Sequence, residues 1–196
     1  LQRLQTDLSL YKKPSTGREF GFFLGILRRS HCEVEMNQGS KSQIPLLMEQ
    51  AKEHHVAGRF VEARIIYEKV LSTDPTHPIA LNQLGTVALQ TGDFNAAVEF
   101  IMQAIKHKPH YVEAYNNLAS ALLELGLTDD ALASYRKAID IKPDYINAHN
   151  NLADTLISQD QPEQAIMHLK KALTINSNYH QGHNNLGNAL MKMGTP

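Results

Sequence analysis

A pattern of small, large and turn residues over positions 112–145 returns thirty-four positions later over 146–179. Slid backwards, the same frame gives 78–111 and 44–77; slid forwards, it gives a shortened copy, 180–196. No other feature constrains the chain as much. A unit of this length cannot bury an apolar face by itself, so it must stack against neighbours of its own kind. The sequence therefore predicts an all-α solenoid over 42–196, with four full repeats and part of a fifth. Residues 1–41 share nothing with it.

The unit reads as two helices. Within 112–145, Tyr115, Leu118, Ala119, Leu122 and Leu123 fall at the i, i+3, i+4, i+7 spacing of one helix face, and Gly126 comes where that helix should stop. Thr128 is placed to cap a second helix, with Asp129 and Asp130 in its first turn, where carboxylates meet the positive end of the dipole. Ala131, Leu132, Tyr135, Ala138 and Ile139 make the buried face of that helix. Lys142-Pro143-Asp144 ends it, because proline cannot donate to the ladder and pushes its predecessor out of helical geometry. Each repeat is an antiparallel helix pair.

Aligning the repeats turns residues into columns. Ala51, Gly85, Ala119, Ala153 and Gly187 share one, and Ala63, Ala97, Ala131 and Ala165 another. Helices cross closely only where side chains are small, so these columns mark the crossings between first and second helices. Leu84, Leu118, Leu152 and Leu186 form one bulky column beside them, and Tyr67, Ile101, Tyr135 and Leu169 another. Gly58, Gly92, Gly126 and Gly194 share the turn position, where Asp160 stands in the fourth repeat as a residue that also visits the left-handed region.

These columns, with Pro75, Pro109 and Pro143 at the unit ends, resemble the tetratricopeptide repeat family throughout positions 44–196. The resemblance implies a right-handed superhelix with the first helices lining its inner face. It departs from the family pattern at the first-helix aromatic position, which holds Leu47, Leu81, Tyr115, His149 and His183. It departs again in the first repeat, where Gln50 and His54 occupy normally buried columns. That repeat is expected to be a partly solvated end cap.

On the inner face, Gln83, Asn117, Asn151 and Asn185 share a column, with Asn82, Asn116, Asn150 and Asn184 beside them. A side-chain amide offers one acceptor and two donors and so matches a peptide backbone whatever its sequence. The expected site is a groove formed by Gln83, Asn117, Asn151, Asn185, Asn116, Asn150 and Asn184, flanked by Ser120 and Asp154. The same amides could instead satisfy neighbouring groups between repeats. The ladder, and phrases such as AYNNLASALLELG and IKPDY, resemble the repeats of O-linked N-acetylglucosamine transferases and of related bacterial proteins. That resemblance implies a substrate-recruiting arm of a larger transferase as the alternative to a protein-binding scaffold. Lysines and arginines of the kind that clamp a carboxylate in some relatives are missing from these inner positions, apart from Lys52.

Composition fits that reading. A net charge of −1 gives no call for nucleic acid, and a single cysteine, Cys32, excludes an internal disulfide framework and fits a cytoplasmic setting. The apolar run over 20–27 is far short of the ~20 residues of a membrane helix. Met36 is read as the natural start, with 1–35 as upstream sequence, and the fifth repeat as cut before its second helix. Of the histidines, His54–His55, His107–His110 and His180–His183 are close pairs with no third ligand at motif spacing, and His149 and His183 are read as packed between helices. No nucleophile elbow, phosphate loop or paired-cysteine motif is present, so no catalytic residue, metal or cofactor is expected. The partner is a protein or an extended peptide.

Overall fold

The computed structural model describes residues 42–194; the reading of 1–41 as a leader with a start at Met36 lies outside them. The described residues form α-helices joined by short turns: α1 (Ile44–Val56), α2 (Phe60–Thr73), α3 (Pro78–Gln90), α4 (Phe94–His107), α5 (Val112–Glu124), α6 (Thr128–Ile141), α7 (Ile146–Ser158), α8 (Pro162–Ile175) and α9 (His180–Lys192). Every helix starts or stops within a residue or two of where the repeat frame puts it. The chain divides into two compact units at Pro75 and Thr76.

In the first unit, α1 and α2 cross at Ala51 and Ala63, both fully buried, with Tyr67 packed beside them. Gln50 is exposed and His54 half-buried, which gives this pair the wetter face expected of it. His54 Nδ1 accepts from Arg59 Nε at 2.9 Å, and the His55 ring meets Phe60 edge-on at 5.8 Å. Both imidazoles of that pair are thus used in packing.

The second unit repeats one construction. First helices turn into second helices through a left-handed residue, Gly126 at φ 75° and Asp160 at φ 58°. The residue after it closes a 6→1 bond, Leu127 N–H to Leu122 O at 2.9 Å and Gln161 N–H to Leu156 O at 2.9 Å. Thr128 does not cap α6. It is the first helical residue, the cap position falls on Leu127, and no side chain caps that end. The equivalent position in α4 is Asp93, whose carboxylate does accept from Ala96 N–H at 3.2 Å. Asp129 and Asp130 do lie in the first turn of α6. Second helices hand over to the next repeat through a tight turn, as where Tyr145 N–H bonds Lys142 O at 3.0 Å with Pro143 between them.

The small columns are the crossings. Ala97, Ala119, Ala131, Ala153 and Ala165 are fully buried. Gly85 is the tightest case, since a Cβ there would lie 2.5 Å from Ile101 Cγ1 and 3.1 Å from the Ala97 carbonyl oxygen. Its counterparts are alanine where the facing residue is Tyr135 or Leu169, neither of which branches at Cβ. Glycine at 85 makes room for the branch of Ile101.

In the last full repeat, His149 Nε2 lies 3.0 Å from the Pro143 carbonyl oxygen, and His149 Nδ1 lies 3.1 Å from His168 Nδ1. A carbonyl only accepts, so the proton of a neutral His149 sits on Nε2. His149 Nδ1 then accepts, and His168 Nδ1–H donates. Burial holds His168 below the usual histidine range, and the charges of His149 and Arg136 push it further down. His183 makes the equivalent carbonyl bond, to Ser177 O at 2.8 Å, but stays exposed. His149 is therefore packed between helices as expected and His183 is not.

Two outcomes follow for stability. Gly85→Ala should cost about 1 kcal/mol, overpacking of 1–3 kcal/mol being partly offset by the ~1 kcal/mol gain in helix propensity. Adding Ile101→Leu should recover it, and equal melting temperatures for native and Gly85→Ala protein would refute the clash. For His168, the folded pKa lies below the unfolded one, so its stability contribution is complete above about pH 6.5 and is lost as the pH falls below that. His168→Gln keeps a donor for His149 without the titration. Its urea midpoint should change less than the native one between about pH 7 and pH 5, and matching slopes would count against this account.

Candidate functional site

Neighbouring residues on a helix point about 100° apart, so the two asparagines of each Asn-Asn pair face different surroundings. In α3, α5 and α7 the first of the pair turns inward. Asn82, Asn116 and Asn150 are only 1 %, 8 % and 1 % exposed. The second, Asn117, Asn151 or Asn185, is half-buried at the edge of the first-helix face, as is Gln83.

The two columns meet each other across the repeats. Asn117 Nδ2 donates to Asn82 Oδ1 at 3.2 Å and to Thr86 Oγ1 at 3.2 Å. Asn151 Nδ2 donates to Asn116 Oδ1 at 3.1 Å, and Asn185 Nδ2 to Asn150 Oδ1 at 3.1 Å. These bonds tie α3 to α5, α5 to α7 and α7 to α9, forming a continuous amide seam. Asn116 and Asn150, read from sequence as groove residues, are buried and bonded within this seam. Asn184 holds the same position in α9 and is exposed.

The seam also fixes which atoms remain open. Asn151 Oδ1 accepts a long bond of 3.4 Å from Asn150 Nδ2. Among the described residues, the Oδ1 atoms of Asn117 and Asn185 have no hydrogen bond. Both N–H groups of Asn117 face the seam, whereas Asn151 and Asn185 each keep one of theirs, a division that the repeated sequence does not disclose.

Tyr111 closes one end of the network. Its hydroxyl lies 3.4 Å from Asn82 Nδ2, and its pKa is pushed up to about 12, chiefly by burial and then by the Glu113 charge, against the lowering effect of the Asn82 bond. It stays protonated at any ordinary pH. Ser120 and Asp154, the expected flanking residues, both act on Tyr135, the first by a hydrogen bond and the second through its charge. Ser120 Oγ is 3.1 Å from the Tyr135 hydroxyl, and the Asp154 charge adds to the burial that raises the pKa of that phenol. Thr86 meets Asn117 a repeat away, and the Tyr111 and Tyr135 hydroxyls meet Asn82 and Ser120 of other columns in their own repeats, pairings that no single column displays. Among the described residues no three His, Cys, Asp or Glu side chains converge as a metal site. No described helix is long and apolar enough to cross a membrane.

Removing a seam acceptor tests the seam directly. Asn150→Ala leaves the Asn185 amide without its partner and should cost about 1–3 kcal/mol. Hydrogen exchange should accelerate in α9 more than in α4. Unchanged protection of α9 would mean that the bond contributes nothing.

Comparison with known proteins agrees with this architecture. Tetratricopeptide repeat profiles match residues 82–146 and 134–167, and a TPR repeat profile matches 153–194. Among curated proteins, none matches the sequence. A crystal structure of MamA protein superposes with a TM-score of 0.66 at 24 % identity, covering 79 % of this chain and 84 % of that one. A thermophilic TPR protein of Thermus thermophilus gives 0.69 at 22 %, covering 77 % and 83 %. A mutant O-GlcNAc transferase of Thermobaculum terrenum gives 0.65 at 22 %, covering 68 % of this chain but 26 % of that protein. At such identities the likeness is one of fold. The matched profiles together run from 82 to 194, more than half of the sequence, over the same helix pairs that the seam joins, and the chain belongs to the tetratricopeptide repeat family.

Proposed function

We propose that the chain is a protein-binding scaffold that holds an extended segment of a partner along the first-helix face of α3, α5, α7 and α9. Asn117, Asn151 and Asn185 make the main contacts, with Gln83, Ser120 and Asp154 beside them. The observation that carries this reading is the regular row of amides at the rim of the seam, with acceptors at Asn117 and Asn185 that no internal group uses. A backbone N–H is the one donor that every extended segment supplies at regular spacing. Each contact contributes about 0.5–1.5 kcal/mol, which makes binding broad in specificity and modest in strength. On this reading the helix pairs do no chemistry themselves. The alternative, a substrate-recruiting arm of a larger glycosyltransferase, uses the same row of amides and draws support from the likeness to the O-GlcNAc transferase repeats.

Replacing Asn117, Asn151 and Asn185 together by alanine should weaken binding of an extended peptide by about tenfold or more. Helical circular dichroism at low temperature should persist, although the melting temperature falls as the seam loses its donors. A triple variant that binds as tightly as the native protein would overturn the assignment.

A further inference from the structure

The groove reading leaves open which segments the face prefers, and the hydrogen-bond directions bear on that. Asn117, Asn151 and Asn185 each donate to the preceding repeat and leave an oxygen at the rim, Asn117 Oδ1, Asn185 Oδ1 and the weakly engaged Asn151 Oδ1, with a second N–H remaining on Asn151 and on Asn185. The charges along the same helices are biased more strongly towards acceptors. α3 carries none, α5 carries Glu113 and Glu124, and α7 carries Asp154. Glu113 and Asp154 are exposed and enter no ion pair among the described residues. The sole lysine or arginine on the four first helices is Lys192 in α9, and its Nζ is held by Asp160 at 3.2 Å and by the Ile157 carbonyl. In the turns, Lys108 and Lys142 sit over the rings of Tyr111 and Tyr145 at 4.3 Å and 5.9 Å.

From this we infer that the occupant of the first-helix face is a donor-rich, cationic segment: an extended peptide whose lysine or arginine side chains reach Glu113 and Asp154 while its backbone N–H groups meet the amide oxygens. The inference rests on the groove reading and names the partner chemistry for it. An acidic segment would bring carboxylates against Glu113 and Asp154, with no free cation on these helices to receive them. Exposed pairs of this kind are weak singly and screened by salt, so the selectivity is a preference and not a lock.

The test compares three synthetic peptides of equal length, built of serine alternating with lysine, with threonine or with glutamate, titrated against the whole chain. At low salt the lysine peptide should bind roughly fivefold tighter than the threonine peptide, and the glutamate peptide weaker than both. In the double variant Glu113→Gln, Asp154→Asn the lysine-to-threonine ratio should fall close to one, as it should for native protein near 1 M salt. Circular dichroism checks that this variant folds. Equal binding of all three peptides, or a ratio the double variant leaves intact, overturns the inference and leaves the groove standing. A lysine peptide that binds equally well to the Asn117, Asn151, Asn185 triple-alanine variant places the charges elsewhere and also overturns it. If none of the three binds, the groove reading falls with it.

Discussion

A buried side-chain amide is the constraint on which the second unit depends. Taking an amide out of water without a partner costs more than most single packing contacts return, so Asn82, Asn116 and Asn150 are tolerable in the interior only while something bonds them. The next repeat supplies that group in each case, and always the same one, the Nδ2 of the second asparagine. Apolar contacts would let adjacent repeats slide. An amide pair fixes one register, because a displacement of a single residue leaves both members unmet.

The crossings within each repeat answer to a different constraint, one of volume. Alanine or glycine at two columns lets the first helix lie against the second, and the facing column adjusts: tyrosine, isoleucine or leucine, with glycine reserved for the place where isoleucine branches. The two devices divide the work. Small residues set the pair, and amides set the stack.

Much of this was legible in the sequence because a repeat displays its own columns. The helix limits, the crossings, the left-handed turn at Asp160 and the wetter first pair could each be read by comparing residues at one period. What escaped was whatever joins different columns. Thr128 looks like a cap by residue type, but the chain reaches helical geometry one residue earlier than a capping threonine requires, and Leu127 occupies the position. His149 was legible as a packed residue, whereas its partner His168 comes from a column that holds no other histidine. The adjacent asparagines could be recognised as a ladder, but not which of them turns inward, since the two columns differ only at Gln83 and it is the rotation of the helix that separates them.

Rotation also joins structure to binding. Because Asn117, Asn151 and Asn185 are each bonded to the preceding repeat, they are held in a single orientation before any partner arrives, and on the groove reading the partner need not supply the entropy of ordering them. An amide that was free on the surface would offer donor and acceptor alike and would flip to suit either. Bonded to the seam through its nitrogen, it no longer flips. The contact that holds one repeat to the next is therefore also the contact that orients the amides of the open face, and a change in the seam cannot leave the face as it was.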